Sequence, residues 1–198
     1  MKDPLNVLVV GVGGQGNLLA SLLIGSAATE EGFYVSVGET YGATQRGGPV
    51  MSHLRLSKRR AYSPLMPEGV GDILLGFEPV ETLRALGTYG NPNIKVMVNP
   101  RPVYPLEVLS GQTKYPEVGK VLEAIRELSG EVVVVEATEL AKRAGDARMQ
   151  NVVMVGCLAT SGWLPLRPES FRKVVVEFFG ENSPNLRALE LGMAEGKK

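Results

Sequence analysis

The chain has 198 residues, 44% of them apolar, with 21 lysines and arginines against 21 aspartates and glutamates. That length is ample for a domain with a buried core, and the balanced charge supplies no field that favours nucleic acid, an acidic substrate or a membrane surface. One cysteine and one histidine exclude an internal disulfide, a cluster held by this chain's own thiolates and a self-contained zinc site. No apolar run approaches the ~20 residues of a membrane-spanning helix, and Met1-Lys2-Asp3-Pro4 lacks the apolar core of a signal peptide. A cytoplasmic protein is therefore expected.

In chain order, Leu5 to Val10 is an apolar run that reads as a buried parallel strand. Gly11-Val12-Gly13-Gly14-Gln15-Gly16 follows. Beyond it, Leu18, Leu19, Leu22, Leu23 and Ala27 recur at helical spacing and predict an amphipathic helix with Ser21, Ser26 and Glu30 on its other faces. Phe33 to Val37 is a second strand, completing a βαβ unit that ends at Gly38-Glu39. Val50 to Leu56 reads as a further strand, Arg59 to Gly71 as a loop, and Asp72 to Phe77 as another apolar strand. Glu78-Pro79 opens a helix to about Leu86, since proline suits a first turn.

Asn91-Pro92-Asn93 is a turn and Ile94 to Val98 the next strand. Asn99 to Pro116 carries four prolines and no clear regular element. Glu117 to Leu128 returns to helical spacing and stops at Ser129-Gly130. Glu131 to Glu136 is a strand. Helices are expected from Thr138 to Gly145, over the apolar Asn151 to Ser161, over Ser170 to Phe179 and over Asn185 to Met193. Strands alternate with helices throughout. The pattern predicts an α/β fold, Rossmann-like, with an open, mainly parallel sheet flanked by helices in a single domain spanning 1–198.

The glycine turn carries specific physics. Gly11 and Gly13 are free to adopt positive φ and let a ligand approach the main chain, and the next helix aims its unpaired N–H groups and positive dipole end at the loop. Gly11-x-Gly13-x-x-Gly16 matches the dinucleotide fingerprint formally, with Glu39 about where a ribose-binding acid belongs. The following stretch argues against that reading. A dinucleotide fold needs only a short loop there, whereas Glu39-Thr40-Tyr41-Gly42 and Gln45-Arg46-Gly47-Gly48 place glycines around polar groups beyond a strand's carboxyl end, where open α/β sheets bind ligands. Arg46 is suited to a bidentate grip on a carboxylate or phosphate, and Glu39 and Tyr41 to orienting a cofactor or joining a network between subunits.

These two segments, together with Asp72 to Pro79, Asn151 to Gly156 and Asn185 to Gly192, resemble the gamma, or small beta, subunits of 2-oxoacid:ferredoxin oxidoreductases, and most closely the indolepyruvate type. The resemblance runs through nearly the whole chain in order. It implies a subunit of an oxidoreductase that decarboxylates an aryl 2-oxoacid oxidatively to an acyl-CoA and passes electrons to ferredoxin, with thiamin diphosphate and iron–sulfur clusters on a larger partner subunit. It implies no catalytic residue and no metal ligand on this chain, which should be inactive alone. It also implies coenzyme A as co-substrate and suggests a phosphate-bearing molecule other than NAD at Gly11, Gly13, Gly14, Gln15 and Gly16, with Glu39, Thr40, Tyr41, Gln45, Arg46 and Gly47 completing the cofactor-binding set; whether coenzyme A itself touches this chain is left open by the sequence. A free-standing NAD(P)-dependent oxidoreductase and a non-catalytic nucleotide-binding module remain as alternatives.

Other singular residues have plainer readings. A lone strand histidine, His53, is structural by default, Cys157 in an apolar helix is a small buried thiol, and Lys58-Arg59-Arg60 is a solvated turn. Trp163 with Leu164-Pro165-Leu166 reads as packing, within the chain or against another subunit.

Overall fold

The computed structural model describes residues 2–41 and 48–196. β1 (Leu5–Val12) is buried along its whole length because helices cover both of its faces. Val7 and Val9 enter one core and Leu8 and Val10 the other. α1 (Asn17–Glu30) leads to β2 (Tyr34–Tyr41) and, after the 42–47 segment, to β3 (Pro49–Ser57). β4 (Ile73–Gly76), α2 (Pro79–Tyr89), β5 (Lys95–Val98), α3 (Leu106–Leu109), α4 (Val118–Glu127) and β6 (Glu131–Val134) continue the alternation. α5 (Ala137–Ala144), a 3-10 turn (Ala147–Met149), α6 (Gln150–Thr160), α7 (Pro168–Phe179) and α8 (Pro184–Glu195) close the chain. α3, a single turn, is the one regular element inside the proline-rich stretch read as irregular.

The strands form one six-stranded sheet in the order β2-β3-β1-β4-β5-β6. β1, β4, β5 and β6 pair in parallel, while β3 runs antiparallel to both β1 and β2. The fold class is thus the expected one with a local difference. β1, α1 and β2 do form a crossover between strands of the same direction, but β3 lies between the two strands, so they exchange no ladder bonds.

The larger core joins α1 and α5 to α8 to one face of the sheet, and α2 and α4 pack on the other. α6 is buried continuously from Asn151 to Ala159. It crosses α8 at glycines: a Cβ added at Gly156 would lie 2.3 Å from Leu189 O, and one at Gly192 would lie 2.1 Å from Val153 O. Only hydrogen side chains permit that backbone approach. Among the described residues, no helix is long and apolar enough to cross a membrane.

α1 buries a different face from the one its leucines suggest. Asn17, Ala20, Ser21, Ile24, Gly25 and Ala28 face inward with Leu23 and Ala27, whereas Leu18 and Leu22 are 56% and 45% exposed. The small side chains let the helix settle closely on the sheet; a Cβ at Gly25 would already touch Val35.

Candidate functional site

The carboxyl ends of β1 and β4 diverge in their connections, α1 passing to one face of the sheet and α2 to the other. This is the crevice where ligands of open α/β sheets bind. The glycine turn forms one wall of it. Positive φ occurs at Gly14 (100°) and Gly16 (83°), not at Gly11 and Gly13 as the sequence suggested. Gly13 N–H donates to Gly48 O at 2.9 Å, tying the turn to the start of β3.

Gly11 is required for a second reason. A Cβ there would lie 2.6 Å from Gln15 Oε1. Gln15 is folded inward: its Oε1 accepts Val12 N–H at 2.7 Å and its Nε2 donates to Phe77 O at 3.0 Å. Its amide therefore occupies the space between the ends of β1 and β4. Behind it, Asn99 Nδ2 reaches Thr138 Oγ1 (3.1 Å) and Gln150 Oε1 (2.9 Å). Gly16, which caps α1, is gripped from the far end of the sequence, where Asn151 Nδ2 donates to Gly16 O at 3.2 Å.

What remains open is the outer lip. Among the described residues, nothing lies within 4 Å of a would-be Cβ on Gly14, and no side chain caps the N-terminus of α1. A cleft of about 340 Å³ lies there, lined by Gly13, Gly14, Gly16, Asn17, Leu18 and Val50. Exposed N–H groups and the positive end of a 14-residue helix favour an anion in such a cleft. Asn17 is buried beside it, its Nδ2 donating to Val50 O at 2.8 Å and its Oδ1 without a hydrogen-bond partner among the described residues.

Glu39 is not placed as a dinucleotide site needs. Its strand, β2, is two strand positions from β1, about 10 Å at the usual inter-strand spacing, and Glu39 lies opposite Ser52 of β3. Thr40 lines a separate depression of about 320 Å³ on the α2 face, with Met51, Arg84 and Thr88; its Oγ1 lies 3.4 Å from Met51 O. The structure thus brings Gly13, Gly14 and Gly16 together at one cleft and holds Glu39 and Thr40 apart from it. Gln45, Arg46 and Gly47 lie outside the described residues, as does the side chain of Tyr41.

Four polar residues border the crevice without having been read from the sequence as site residues. Asn17, Asn99 and Asn151 act through contacts that only folding creates. Glu78 was legible as a helix start and is one, its Oε2 accepting Glu81 N–H at 2.8 Å. Its other oxygen accepts the Tyr115 hydroxyl, which fastens the proline-rich loop over α2. Burial, then the bond to the Glu78 carboxylate, pushes the Tyr115 phenol well above its ordinary range. Burial also raises Glu81, against the opposing pull of Arg84.

His53 sits fully buried in β3, neither ring nitrogen hydrogen-bonded among the described residues, edge-on to Tyr89 at 5.0 Å between centroids. Burial lowers its pKa. The Cys157 thiol, equally buried, is pushed up to about 12. Neither lines the glycine cleft. Trp163 packs against the larger core and donates through Nε1 to Glu131 Oε1 at 3.2 Å.

An open sheet with an anion-favouring turn at its switch point describes many α/β proteins; whole-chain comparison narrows the class. The chain belongs to the family described as pyruvate ferredoxin/flavodoxin oxidoreductase, which matches residues 6–195. Within it, the chain is 39% identical over 190 residues to indolepyruvate oxidoreductase subunit IorB of Archaeoglobus fulgidus, covering 95% of this chain and 93% of that one. Solved structures carry the same fold. Pyruvate oxidoreductase subunit PORC of Thermotoga maritima superposes with a TM-score of 0.70 at 22% identity, over 99% of this chain and 96% of that one. The 2-oxoglutarate:ferredoxin oxidoreductase of Magnetococcus marinus, solved with 2-oxoglutarate, coenzyme A and succinyl-CoA bound, superposes at 0.75 with 22% identity. All of this chain is matched there, but it spans only about a third (32%) of that longer chain.

Proposed function

We propose that this chain is the small subunit of an indolepyruvate-type 2-oxoacid:ferredoxin oxidoreductase, a cytoplasmic enzyme that converts an aryl 2-oxoacid to its acyl-CoA and reduces ferredoxin. The whole chain, residues 1–198, acts as one gamma-type domain. Its part is to receive a phosphate-bearing co-substrate, coenzyme A, at the lip formed by Gly13, Gly14, Gly16 and the start of α1, and to close the active site of a larger subunit. Gly11 and Gln15 shape that lip from beneath. Glu39 and Thr40, held apart from that lip, serve with Tyr41, Gln45, Arg46 and Gly47 at the boundary with the larger subunit.

Thiamin diphosphate and iron–sulfur clusters belong to the larger subunit. This chain's donor set does not fit them: its single cysteine is buried, and no group of three His, Cys, Asp or Glu side chains among the described residues is placed to hold a metal ion. The observation that carries the choice of co-substrate is the displacement of Glu39 from the glycine turn. The Gln15 amide fixes the turn from beneath and leaves only the outer lip to a phosphate, while Glu39, the acid a dinucleotide ribose would need, is two strands from β1. The outer lip suits a phosphate that stays at the surface and leaves the thiol-bearing arm free to reach a neighbouring subunit. That geometry disfavours the NAD(P)-dependent alternative.

The test is anaerobic purification of the tagged chain from its host, with identification of co-purified chains and assay of acyl-CoA formation from aryl 2-oxoacids with ferredoxin as acceptor. Co-purification of a brown, thiamin-bearing chain and coenzyme A-dependent ferredoxin reduction are expected. A partnerless, colourless chain stabilised by NAD(P)H would overturn the proposal.

A further inference from the structure

In both α1 and α6 the apolar residues are spread around the circumference rather than gathered on one face, although α1 also carries Ser21, Ser26, Thr29 and Glu30; such a spread belongs to helices buried on most sides. α6 meets that expectation, with every residue from Asn151 to Ala159 buried. α1 does not. Its outward stripe, Leu18 and Leu22, faces solvent at 56% and 45% exposure, and Val37 of β2 and Phe178 of α7 stand beside it at 42% and 45%. Leu22, Val35, Val37 and Phe178 line a groove of about 540 Å³ between the three elements. Leu18, one turn nearer the N-terminus of α1, lines the glycine cleft, so the apolar strip runs toward that cleft.

The groove borders the sheet edge. β2 is an eight-residue edge strand without proline or lysine, whereas β6 at the opposite edge has only four residues. Long, unguarded edges are what monomeric proteins avoid.

The groove's rim is acidic. Glu30 and Glu177 both line it, and they share one cation, Lys173, which pairs closely with Glu30 and at 3.9 Å with Glu177. A second copy docked about a two-fold axis would set this carboxylate surplus against itself. A different chain bearing lysine or arginine beside an apolar ridge would neutralise it.

From this we infer that the flank formed by α1, β2 and α7 is the seat of the larger subunit, which lays an apolar ridge with an adjoining basic side chain into the groove. The inference rests on the small-subunit reading above. It places the covered face of α1 directly beneath the glycine cleft, so docking and the co-substrate lip share one helix.

The test uses the two-subunit complex, made by co-expressing this chain with the larger thiamin- and cluster-bearing chain, and compares wild type, L22E/V37E and L128E. Leu128 is comparably exposed but ends α4 in the other packing layer. Affinity between the purified subunits should fall by about thirtyfold or more in L22E/V37E, the size of an interface hot spot. It should be unchanged in L128E, and amides of 17–30 and 34–41 should exchange more slowly in the wild-type complex. Circular dichroism of each isolated variant checks folding, and F178E replaces the double variant should that one not fold. Wild-type affinity in a folded L22E/V37E or F178E would overturn the inference. So would a wild-type homodimer, seen by light scattering, that the groove variants split while still binding the larger chain. Failure of the wild-type chain to bind the larger chain at all would instead overturn the small-subunit reading.

Discussion

Replacing Gln15 by alanine tests whether its side chain holds the two halves of the crevice together. The amide makes two buried bonds, accepting Val12 N–H at 2.7 Å and donating to Phe77 O at 3.0 Å. Phe77 O keeps only a long contact, 3.5 Å, from Asn99 Nδ2. Removing the amide leaves the Val12 N–H unsatisfied at a cost of about 1–3 kcal/mol, and the lost bond at Phe77 adds about 0.5–1.5 kcal/mol. A total near 3 kcal/mol corresponds to a fall in Tm of about 6–12 °C for a chain of this size. Gln15→Met keeps most of the volume and removes only the hydrogen bonding, so it separates polar loss from a cavity. Urea unfolding of wild type, Gln15→Ala and Gln15→Met, with midpoints compared at constant slope, reads the difference. Both variants should lose about 2–4 kcal/mol. A Gln15→Met protein within about 0.5 kcal/mol of wild type, the range of ordinary surface changes, would show that these bonds do not hold the crevice and would sink the argument that Gln15 closes it.

Further outcomes follow from packing and titration. Gly192→Ala forces α6 and α8 apart against Val153 O and should destabilise by about 1–3 kcal/mol or more; Gly87→Ala in α2, with nothing within 4 Å of its Cβ, should stabilise by up to about 1 kcal/mol, and thermal melts compare the two. Burial lowers the folded pKa of His53 below its ordinary value of 6.5, so below that pH the unfolded chain binds a proton that the folded chain refuses. Its contribution is therefore intact above pH 6.5 and lost as pH falls, by up to about 1.4 kcal/mol per unit until the folded pKa is reached; denaturant midpoints from pH 8 to 5 should show a shallower acid limb in His53→Phe. Cys157, its thiol pushed up to about 12 in a buried site, should react with Ellman's reagent at pH 8 only after denaturation; rapid labelling of the native chain would contradict its burial.

Sequence alone determined the local units of this protein. Leu5 to Val10, Asp72 to Phe77 and Ile94 to Val98 announce themselves as strands because apolar runs bounded by glycine, proline and asparagine have few other uses. The strand–glycine turn–helix is legible for the same reason, since its signal lies within a dozen consecutive residues. The ordered segments over most of the chain carried the family resemblance, which the comparisons bear out.

Tertiary structure decided what those units do to one another. Nothing local says that β3 inserts antiparallel between β1 and β2, because backbone hydrogen bonding is blind to sequence separation; that insertion moves Glu39 away from the glycine turn. The buried face of α1 was misread because hydrophobicity favours leucine inside, while close approach to the sheet favours serine and glycine. In the fold, close approach won for Ser21 and Gly25, leaving Leu18 and Leu22 outside. The positive φ of Gly16 and its grip by Asn151, 135 positions away in the chain, belong to the same category. Sequence set the chemistry available at the turn, and the packing of distant segments against it fixed which of its N–H groups still face outward.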